Sequence, residues 1–190
     1  MDKFLTDEQI IDVAKSIGVE FAALKAVDMV ESRGKGFLPN GEPKILFESK
    51  VFRGQLQERG INPDQYLDQY YDVVRKNPAP YGAESQQHAR LQRAAEINRN
   101  AALCSASWGR YQVMGFNWEY IGYESLQAFI NAMYRSEADH LDACIRYCKK
   151  RRIIQALRDH DWTKFAIGYN GKGQQGYDKR LAQEYAKLVK

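Results

Sequence analysis

One glutamate stands where a carboxylate is electrostatically unfavourable. Residues 27–36 read VDMVESRGKG, so Glu31 ends an apolar helical run shortly before two glycines. The dipole at a helix C-terminus and partial burial both disfavour the charged side chain, so its pKa is expected to be raised. A carboxylic acid that stays protonated near neutral pH can act as general acid at a glycosidic bond. Taken alone, such a glutamate is more often a solvated helix end.

Two later stretches place amides and aromatic rings beside glycines. Residues 107–115 read SWGRYQVMG and residues 165–171 read FAIGYNG. Gln112 and Asn170 offer amide donors and acceptors to sugar groups, and Tyr169 adds an aromatic face with a hydroxyl. Each also has a structural interpretation: Gln112 as a turn residue, Asn170 as a left-handed loop residue and Tyr169 as a core ring.

The glycines of the third stretch have their own expected role. Gly168 and Gly171 flank the two polar residues of FAIGYNG. Because glycine has no Cβ, both are predicted to let the backbone approach a ligand closely.

These candidates need a scaffold that brings distant segments together, and apolar periodicity predicts a helical one. Gly34 and Gly36 are expected to end the helix that carries the first glutamate. Residues 37–52 break the pattern, because turn residues surround an apolar run at 44–47 that indicates a short strand or an extended buried segment. The predicted helices cover about 7–17, 20–31, 64–74, 84–104, 125–152, a short stretch capped by Asp161, and 177–188. We therefore expect one mainly α domain over residues 1–190, with a small irregular or strand-containing insert near residues 37–52.

The composition is that of a globular protein with mild positive charge. The chain has 190 residues, 44% hydrophobic and 27% charged, with a net charge of +4. These values exclude a disordered chain. No apolar run approaches the roughly 20 residues of a membrane span, and the first residues lack the apolar core of a secretory signal. We expect synthesis in the cytoplasm, no stable membrane insertion, and a separate exit route for any role outside.

Cysteine and histidine spacing raises the question of a metal. Cys144 and Cys148 follow His140 by four and eight residues on one helix face. A metal site would need a fourth ligand and closer clustering than one straight helix gives, so we predict a partly buried helix face and no metal or cofactor. The odd cysteine count indicates reduced thiols. The basic run at 149–152 is interpreted as a solvated helix end, with anion attraction as the alternative.

Taken together and in this order, the three stretches resemble the superfamily of goose-type lysozymes and lytic transglycosylases. They are most similar to the N-acetylmuramidase family found in phage endolysins and prophages. The motifs are VESRGKGFLPNGEPKILFE at 30–48, SASWGRYQVMGFN at 105–117 and DWTKFAIGYNG at 161–171. The resemblance covers about residues 20–190. It implies a lysozyme-like (α+β) fold and cleavage of the β-1,4 bond between N-acetylmuramic acid and N-acetylglucosamine.

The resemblance also implies roles for individual residues. Glu31 carries over as the catalytic acid. Ser107, Gln112, Tyr169 and Asn170 carry over as contacts to the glycan strand. That strand is expected to lie between the 20–60 region and the helices after residue 105.

The second catalytic carboxylate stays open at this stage. Glu48 is the first candidate, because the apolar run before it must deliver it next to the core. The alternative is a structural ion pair of Glu48 with Arg53, Arg110 or a nearby lysine. Asp28 lies three residues before Glu31 on the same helix face and would raise the pKa of that acid by like-charge repulsion. The weaker candidates for the second carboxylate are Glu42 and Asp28.

Attack by water would make the protein a peptidoglycan hydrolase, and attack by the substrate's own 6-hydroxyl would make it a lytic transglycosylase with a 1,6-anhydro product. The family match favours hydrolysis. A non-catalytic glycan-binding protein is the rival from another class; a nucleic-acid binder leaves the second and third motifs unexplained. We expect a monomer. The resemblance implies lysis of the host cell, with a holin-type pore releasing the protein from the cytoplasm of the infected bacterium to the periplasm and cell wall.

Overall fold

The computed structural model describes residues 3–32, 35–77, 80–173 and 175–190, without the side chain of Ser32. Within these residues the chain is mainly helical, as expected, and it has one small antiparallel sheet. The helices are α1 (Asp7–Ser16), α2 (Phe21–Ser32), α3 (Ser49–Gln57), α4 (Leu67–Val74), α5 (Gln87–Cys104), α6 (Leu126–Arg135), α7 (Glu137–Lys150), α8 (Ile154–Arg158), α9 (Trp162–Asn170) and α10 (Tyr177–Leu188). The strands are β1 (Ile45–Phe47), β2 (Ala106–Trp108) and β3 (Val113–Met114), and 3₁₀ turns cover Pro63–Tyr66, Glu84–Gln86 and Gly115–Asn117.

Helix α2 carries the first candidate residue and packs against α1, α8 and α10. Its buried face includes Ala22, Ala23 and Ala26, whose small side chains allow neighbouring helices to approach closely. The helix ends at Ser32, one residue later than predicted. Gly34, one of the two glycines expected to end it, lies outside the described residues.

The insert near residues 37–52 contains β1, so the short strand is the correct one of the two alternatives predicted for residues 44–47. Strand β1 pairs with β2, and β2 pairs with β3, both antiparallel. Leu46 lies opposite Ser107, which in turn lies opposite Met114. The sheet therefore brings the first and second motifs together. The end of the insert is different from the expectation, because α3 already begins at Ser49.

The prediction of one helix over 125–152 is wrong. Ser136 takes an extended conformation, with φ of −160° and ψ of 160°, and separates α6 from α7. Its hydroxyl accepts a hydrogen bond from the Asp139 backbone N–H, so this serine caps a new helix. Apolar periodicity continues across the break, which is why the pattern alone joined the two helices.

Other boundaries also differ. Residues 84–104 begin with a 3₁₀ turn, and Asn98 interrupts α5 with φ of −159°, accepting a hydrogen bond from the Ala101 backbone N–H. The short helix α8 was not predicted, and neither were β2 and β3 in the stretch interpreted as a break. Among the described residues, no helix has both the length and the apolar character needed to cross a bilayer.

Candidate active site

Glu31 lies in the last turn of α2, at the boundary between two cavities. The first cavity, of about 440 Å³, extends from Glu31 towards Lys44 and Leu46 at the start of the sheet. The second, of about 420 Å³, extends towards α9. Glu31 and Gln112 line both, so the two cavities meet at these side chains. We call the two cavities together the cleft. Its second cavity is lined by Glu31, Glu48, Tyr111, Gln112, Val113, Met114, Asn117, Tyr147, Tyr169 and Asn170.

The environment of Glu31 favours its protonated form. Burial raises the pKa of this carboxyl above its usual value. The hydroxyl of Tyr177 and the charge of Arg180 act in the opposite direction and offset part of the effect. The Tyr177 hydroxyl is buried and makes no hydrogen bond of ordinary geometry with the described residues, so it is available to the Glu31 carboxyl. The expected direction of the pKa shift is therefore confirmed, with burial as its main cause.

Asp28 does not act as predicted. Its carboxylate accepts hydrogen bonds from Arg110 Nε at 2.6 Å and Nη2 at 2.9 Å, and from the Tyr111 hydroxyl at 2.8 Å. Burial by itself raises the pKa of Asp28, but Arg110, Tyr111 and Lys25 outweigh it and leave that pKa below its usual value. Because Arg110 and Tyr111 hold the ionised Asp28 carboxylate, its role is structural. Asp28 is not among the causes of the raised Glu31 pKa.

Glu48 faces the second cavity from the end of β1. Its backbone N–H donates to the Ser105 carbonyl, which fixes the start of α3 against β2. Burial raises the pKa of its carboxyl. The alternative of an ion pair with Arg53 or Arg110 is wrong, because Arg53 binds Asp64 at 2.5 Å and Arg110 binds Asp28. Within the described part of the chain, Glu48 has no salt bridge.

Gln112 is held in a fixed orientation between the two cavities. Its backbone takes the left-handed conformation, with φ of 50°, in the turn between β2 and β3. Its side-chain Nε2 donates to the Gly109 carbonyl at 2.8 Å, and its Oε1 accepts from the Ser107 hydroxyl at 2.7 Å. Ser107 is only 5% exposed and does not line either cavity. It therefore lies behind Gln112 and orients that amide.

Tyr169 and Asn170 come from the last turn of α9 and line the second cavity. The Tyr169 ring is stacked between Phe165, at 5.7 Å, and Tyr177, at 6.0 Å between centroids. Its hydroxyl donates to the Tyr111 carbonyl at 3.3 Å. The Tyr169 ring therefore packs in the core and also lines the cleft. Both interpretations made from the sequence, a core ring and an aromatic face for sugars, apply to it.

The glycines of the third motif have different roles from those expected. A Cβ on Gly168 would lie 2.3 Å from Cγ2 of Ile153, so this glycine allows α9 to pack against the start of α8. Gly171 follows the last residue of α9 and takes φ of 82°. It is the C-cap glycine of the helix, and Asn170 itself is helical rather than left-handed.

A buried carboxylate fixes the chain that follows Glu31. Glu137 accepts hydrogen bonds from the Gly36 backbone N–H at 2.6 Å and the Leu5 N–H at 3.0 Å. It also accepts from Arg110 Nη1 at 3.1 Å. These bonds join the N-terminal segment, the segment after α2 and the turn before Gln112. The polar network therefore fixes the segment around Gly36 relative to the turn that contains Arg110, and these two segments border the first cavity.

His140 is part of the same network rather than a ligand. Its Nδ1 accepts from the Arg110 backbone N–H at 3.0 Å, and its Nε2 donates to the Met133 carbonyl at 2.7 Å. Burial lowers its pKa, so the neutral ring is favoured. Cys144 and Cys148 are buried on the same helix, as predicted. The described residues contain no group of three or more metal-ligating side chains.

Sequence reasoning missed three residues at the cleft. Tyr177 lies close to Glu31, and Tyr147 lines the second cavity. Glu137 fixes the segment beside the first cavity through its hydrogen bond from the Gly36 N–H. Tyr177 follows Gly176 directly at the start of a helix, a position that could have drawn attention to it. Glu137 was inside a segment interpreted as continuous helix, where nothing in the pattern distinguishes it from a solvated residue.

The structure brings Glu31, Glu48, Gln112, Tyr169 and Asn170 around one cavity. A family model described as N-acetylmuramidase matches residues 20–189. The search among curated proteins found no match. Among solved structures, the chain is similar to the crystal structure of the Burkholderia AP3 phage endolysin, with a TM-score of 0.90 and 36% identity over 100% of this chain and 73% of that chain. The chain belongs to the N-acetylmuramidase family, and it is a glycoside hydrolase of the lysozyme type.

Proposed function

We propose that this protein is an endolysin in which residues 1–190 form one catalytic domain. It cleaves the β-1,4 bond between N-acetylmuramic acid and N-acetylglucosamine in peptidoglycan. The observation that carries the proposal is the position of Glu31, a buried acid with a raised pKa where two cavities meet. An acid that must protonate a bridging oxygen needs this position, with sugars on both sides of it.

Glu31 protonates the bridging oxygen, and the bond to the muramic acid then breaks through an oxocarbenium-like state. The Gln112 amide, fixed by Ser107 and the Gly109 carbonyl, presents its remaining hydrogen-bonding capacity to the sugar. The Tyr169 ring edge and the Asn170 amide contact the strand in the second cavity. Rigid placement of these groups lowers the entropic cost of reaching the reactive geometry.

Glu48 is the second carboxylate in this proposal. It shares the second cavity with Glu31, and among the described residues it has no salt bridge that would occupy it. Once ionised, it orients and deprotonates the attacking water. This arrangement favours hydrolysis over the 1,6-anhydro reaction, because attack by the substrate's own hydroxyl needs no enzyme group that holds a water. An acid at the centre of the cleft likewise favours an enzyme over a non-catalytic glycan-binding protein.

Replacement of Glu31 by Gln tests the assignment of the acid. We expect lysis of purified peptidoglycan to fall on the order of 10²-fold or more. The variant should unfold no more easily at neutral pH, since a carboxyl with a raised pKa costs stability once the pH exceeds its unfolded value. Glu124→Gln, at an exposed position, is the matched control. Near-normal lysis by a folded Glu31→Gln protein would refute the role.

Mass spectrometry of the products tests the attacking group. Hydrolysis adds one water for each bond cut, and digestion in ¹⁸O-water should place the label at the new reducing end. Glu48→Gln should lower the rate of the same reaction without changing the product. Products lighter by one water for each cut would contradict the hydrolase assignment.

The biological setting follows from this activity and is part of the proposal. The protein acts as a monomer on the glycan strand, without binding nucleic acid or inserting into a membrane. It collects in the cytoplasm of the infected bacterium and reaches the periplasm and cell wall when a holin-type pore opens. A monomer in solution by light scattering, and lysis that depends on co-expression of a pore, are the expected results.

A further inference from the structure

A separate cavity lies along α3, next to residues that line the cleft. It has a volume of about 280 Å³ and lies between α3 and the 3₁₀ turn Gly115–Asn117. Its lining residues are Val51, Gly54, Gln55, Glu58 and Phe116. We call it the α3 groove. We propose that the α3 groove is an outer subsite that binds sugars of the glycan strand beyond the bond being cut, which rests on the function proposed above.

Both walls of the α3 groove continue walls of the cleft. On one side, Glu48 lines the cleft and is the residue directly before α3, whose next turns carry Val51 and Gly54. On the other side, Met114 and Asn117 line the cleft and flank Phe116. At 1.5 Å per residue, the helix advances about 9 Å from Glu48 to Gly54. A polymeric strand leaving the second cavity in this direction therefore enters the groove.

Phe116 gives the groove an apolar surface that the fold does not use. Its side chain is 45% exposed, although a phenyl ring gains stability when it is buried. One exposed ring is common on a protein surface, but this ring lines a groove beside the cleft, where it can contact a ligand. The C–H face of a pyranose ring is a suitable partner for such a surface.

Gly54 is the second, independent observation. It lies in the middle of α3, where glycine is among the least favourable residues. A Cβ built on it would meet no atom within 4 Å, and its backbone does not take the left-handed conformation. Neither close packing nor a turn therefore requires glycine here. What glycine provides is open space on the face of the helix that lines the groove.

The polar rim of the groove favours an uncharged or hydroxyl-rich ligand. Gln55 Nε2 donates to Glu58 Oε2 at 2.7 Å, and Arg59 Nη1 donates to Gln55 Oε1 at 2.9 Å. The amide and the carboxylate retain hydrogen-bonding capacity for sugar hydroxyls. The Glu58 charge disfavours the acidic groups of the peptide stems, so the glycan itself is the occupant we propose.

Steady-state kinetics on two substrates test the α3 groove. The substrates are long glycan strands and the shortest soluble glycan fragment that the native protein cuts. The variants are Gly54→Gln, which fills the groove, and Phe116→Ala, which removes the ring. Phe116→Tyr keeps the ring, and Gln57→Ala changes an exposed position of α3 outside the groove.

For Gly54→Gln and Phe116→Ala we expect KM on long strands to rise about tenfold, with kinetics on the shortest fragment unchanged. The two controls should behave as the native protein does. The Tm of Gly54→Gln should rise by about 2 °C, because Gln is the better helix former. A higher Tm together with a higher KM on long strands is a combination that a purely structural role of Gly54 would not produce.

Two results would overturn the subsite. One is an unchanged KM on long strands for both variants, and the other is an equal loss on long and short substrates. If the native protein cuts neither substrate, the proposed cleavage reaction fails instead, and the groove loses its ligand with it.

Discussion

Replacement of Asp28 by Asn separates a structural role from a catalytic one. Asp28 is 1% exposed, and its ion pair with Arg110 uses both carboxylate oxygens. Glu137, 2% exposed, binds another nitrogen of the same guanidinium. The substitution removes the carboxylate that binds Arg110 through both oxygens, while Glu137 still offsets the guanidinium charge, so we expect a cost at the lower end of the range for buried ion pairs.

The expected cost follows from this geometry. Removing one partner of a buried ion pair costs about 3–5 kcal/mol, and Asn can keep part of the hydrogen bonding, so we expect about 3 kcal/mol. For a chain of this length, that corresponds to a decrease in Tm of roughly 8 °C. Asp142→Asn is the matched control. Asp142 also pairs with an arginine, Arg146, at 2.7 Å, but this carboxylate is 50% exposed, so its loss should cost about 0.5 kcal/mol or less.

The pH dependence of stability is a second test of whether the ionised Asp28 carboxylate stabilises the fold. The folded-state pKa of Asp28 lies below its usual value, so its contribution is fully present above the unfolded pKa of about 3.9. The contribution is lost as the pH falls through the lower, folded-state pKa. The difference in unfolding free energy between the native protein and Asp28→Asn should therefore be constant near neutral pH and decrease below about pH 4.

Urea denaturation, followed by circular dichroism at several pH values, measures both quantities. Lysis of peptidoglycan is measured on the folded fraction at a temperature where Asp28→Asn is stable. We expect activity per folded molecule close to that of the native protein. A variant with native stability and lost activity would refute the structural interpretation and would give Asp28 a place in the chemistry.

Two further predictions concern the surroundings of Glu31 and the packing of α9. Tyr177→Phe removes the hydroxyl that lowers the pKa of Glu31, so the alkaline limb of the pH–activity profile should move to higher pH; an unchanged or lower limb would contradict this. Gly168→Ala places a Cβ against Ile153 and should destabilise the protein by about 1–3 kcal/mol in thermal unfolding. Gly54→Ala, the same change in an open helix position, should stabilise it, and equal effects of the two would refute the packing argument.

Several elements could be predicted because their causes are local. The Thr6 hydroxyl and the Gln9 side chain form a capping box, and Asp161 caps α9 through the Lys164 N–H. Proline and glycine around residues 39–43 mark the turn before β1. Where a break had no glycine or proline, as at Ser136, the apolar pattern gave no signal of it.

In the candidate site, too, some features could be predicted from the sequence and others could not. The motif order named Glu31, Gln112, Tyr169 and Asn170 as candidates, and the apolar run before Glu48 added that residue. The fold brings all five to one cavity. The placement of Ser107 behind Gln112 was not predictable, because register in the sheet decides which side chains reach the cleft.

The amino-acid sequence by itself determined the helical scaffold, the short strand and the order of the three motifs. These depend on periodicity and turn chemistry within a few neighbouring residues. Only the tertiary structure decided which ion pairs and how much burial act on the carboxyl groups of α2. Asp28 and Arg110 are 82 residues apart, and Gly36 and Glu137 are 101 apart, yet they form the buried bonds that fix the cleft. Burial and ion pairing depend on which distant segments exclude water from a carboxyl, and this is why the pKa of Asp28 is lowered while that of Glu31, one helical turn later, is raised.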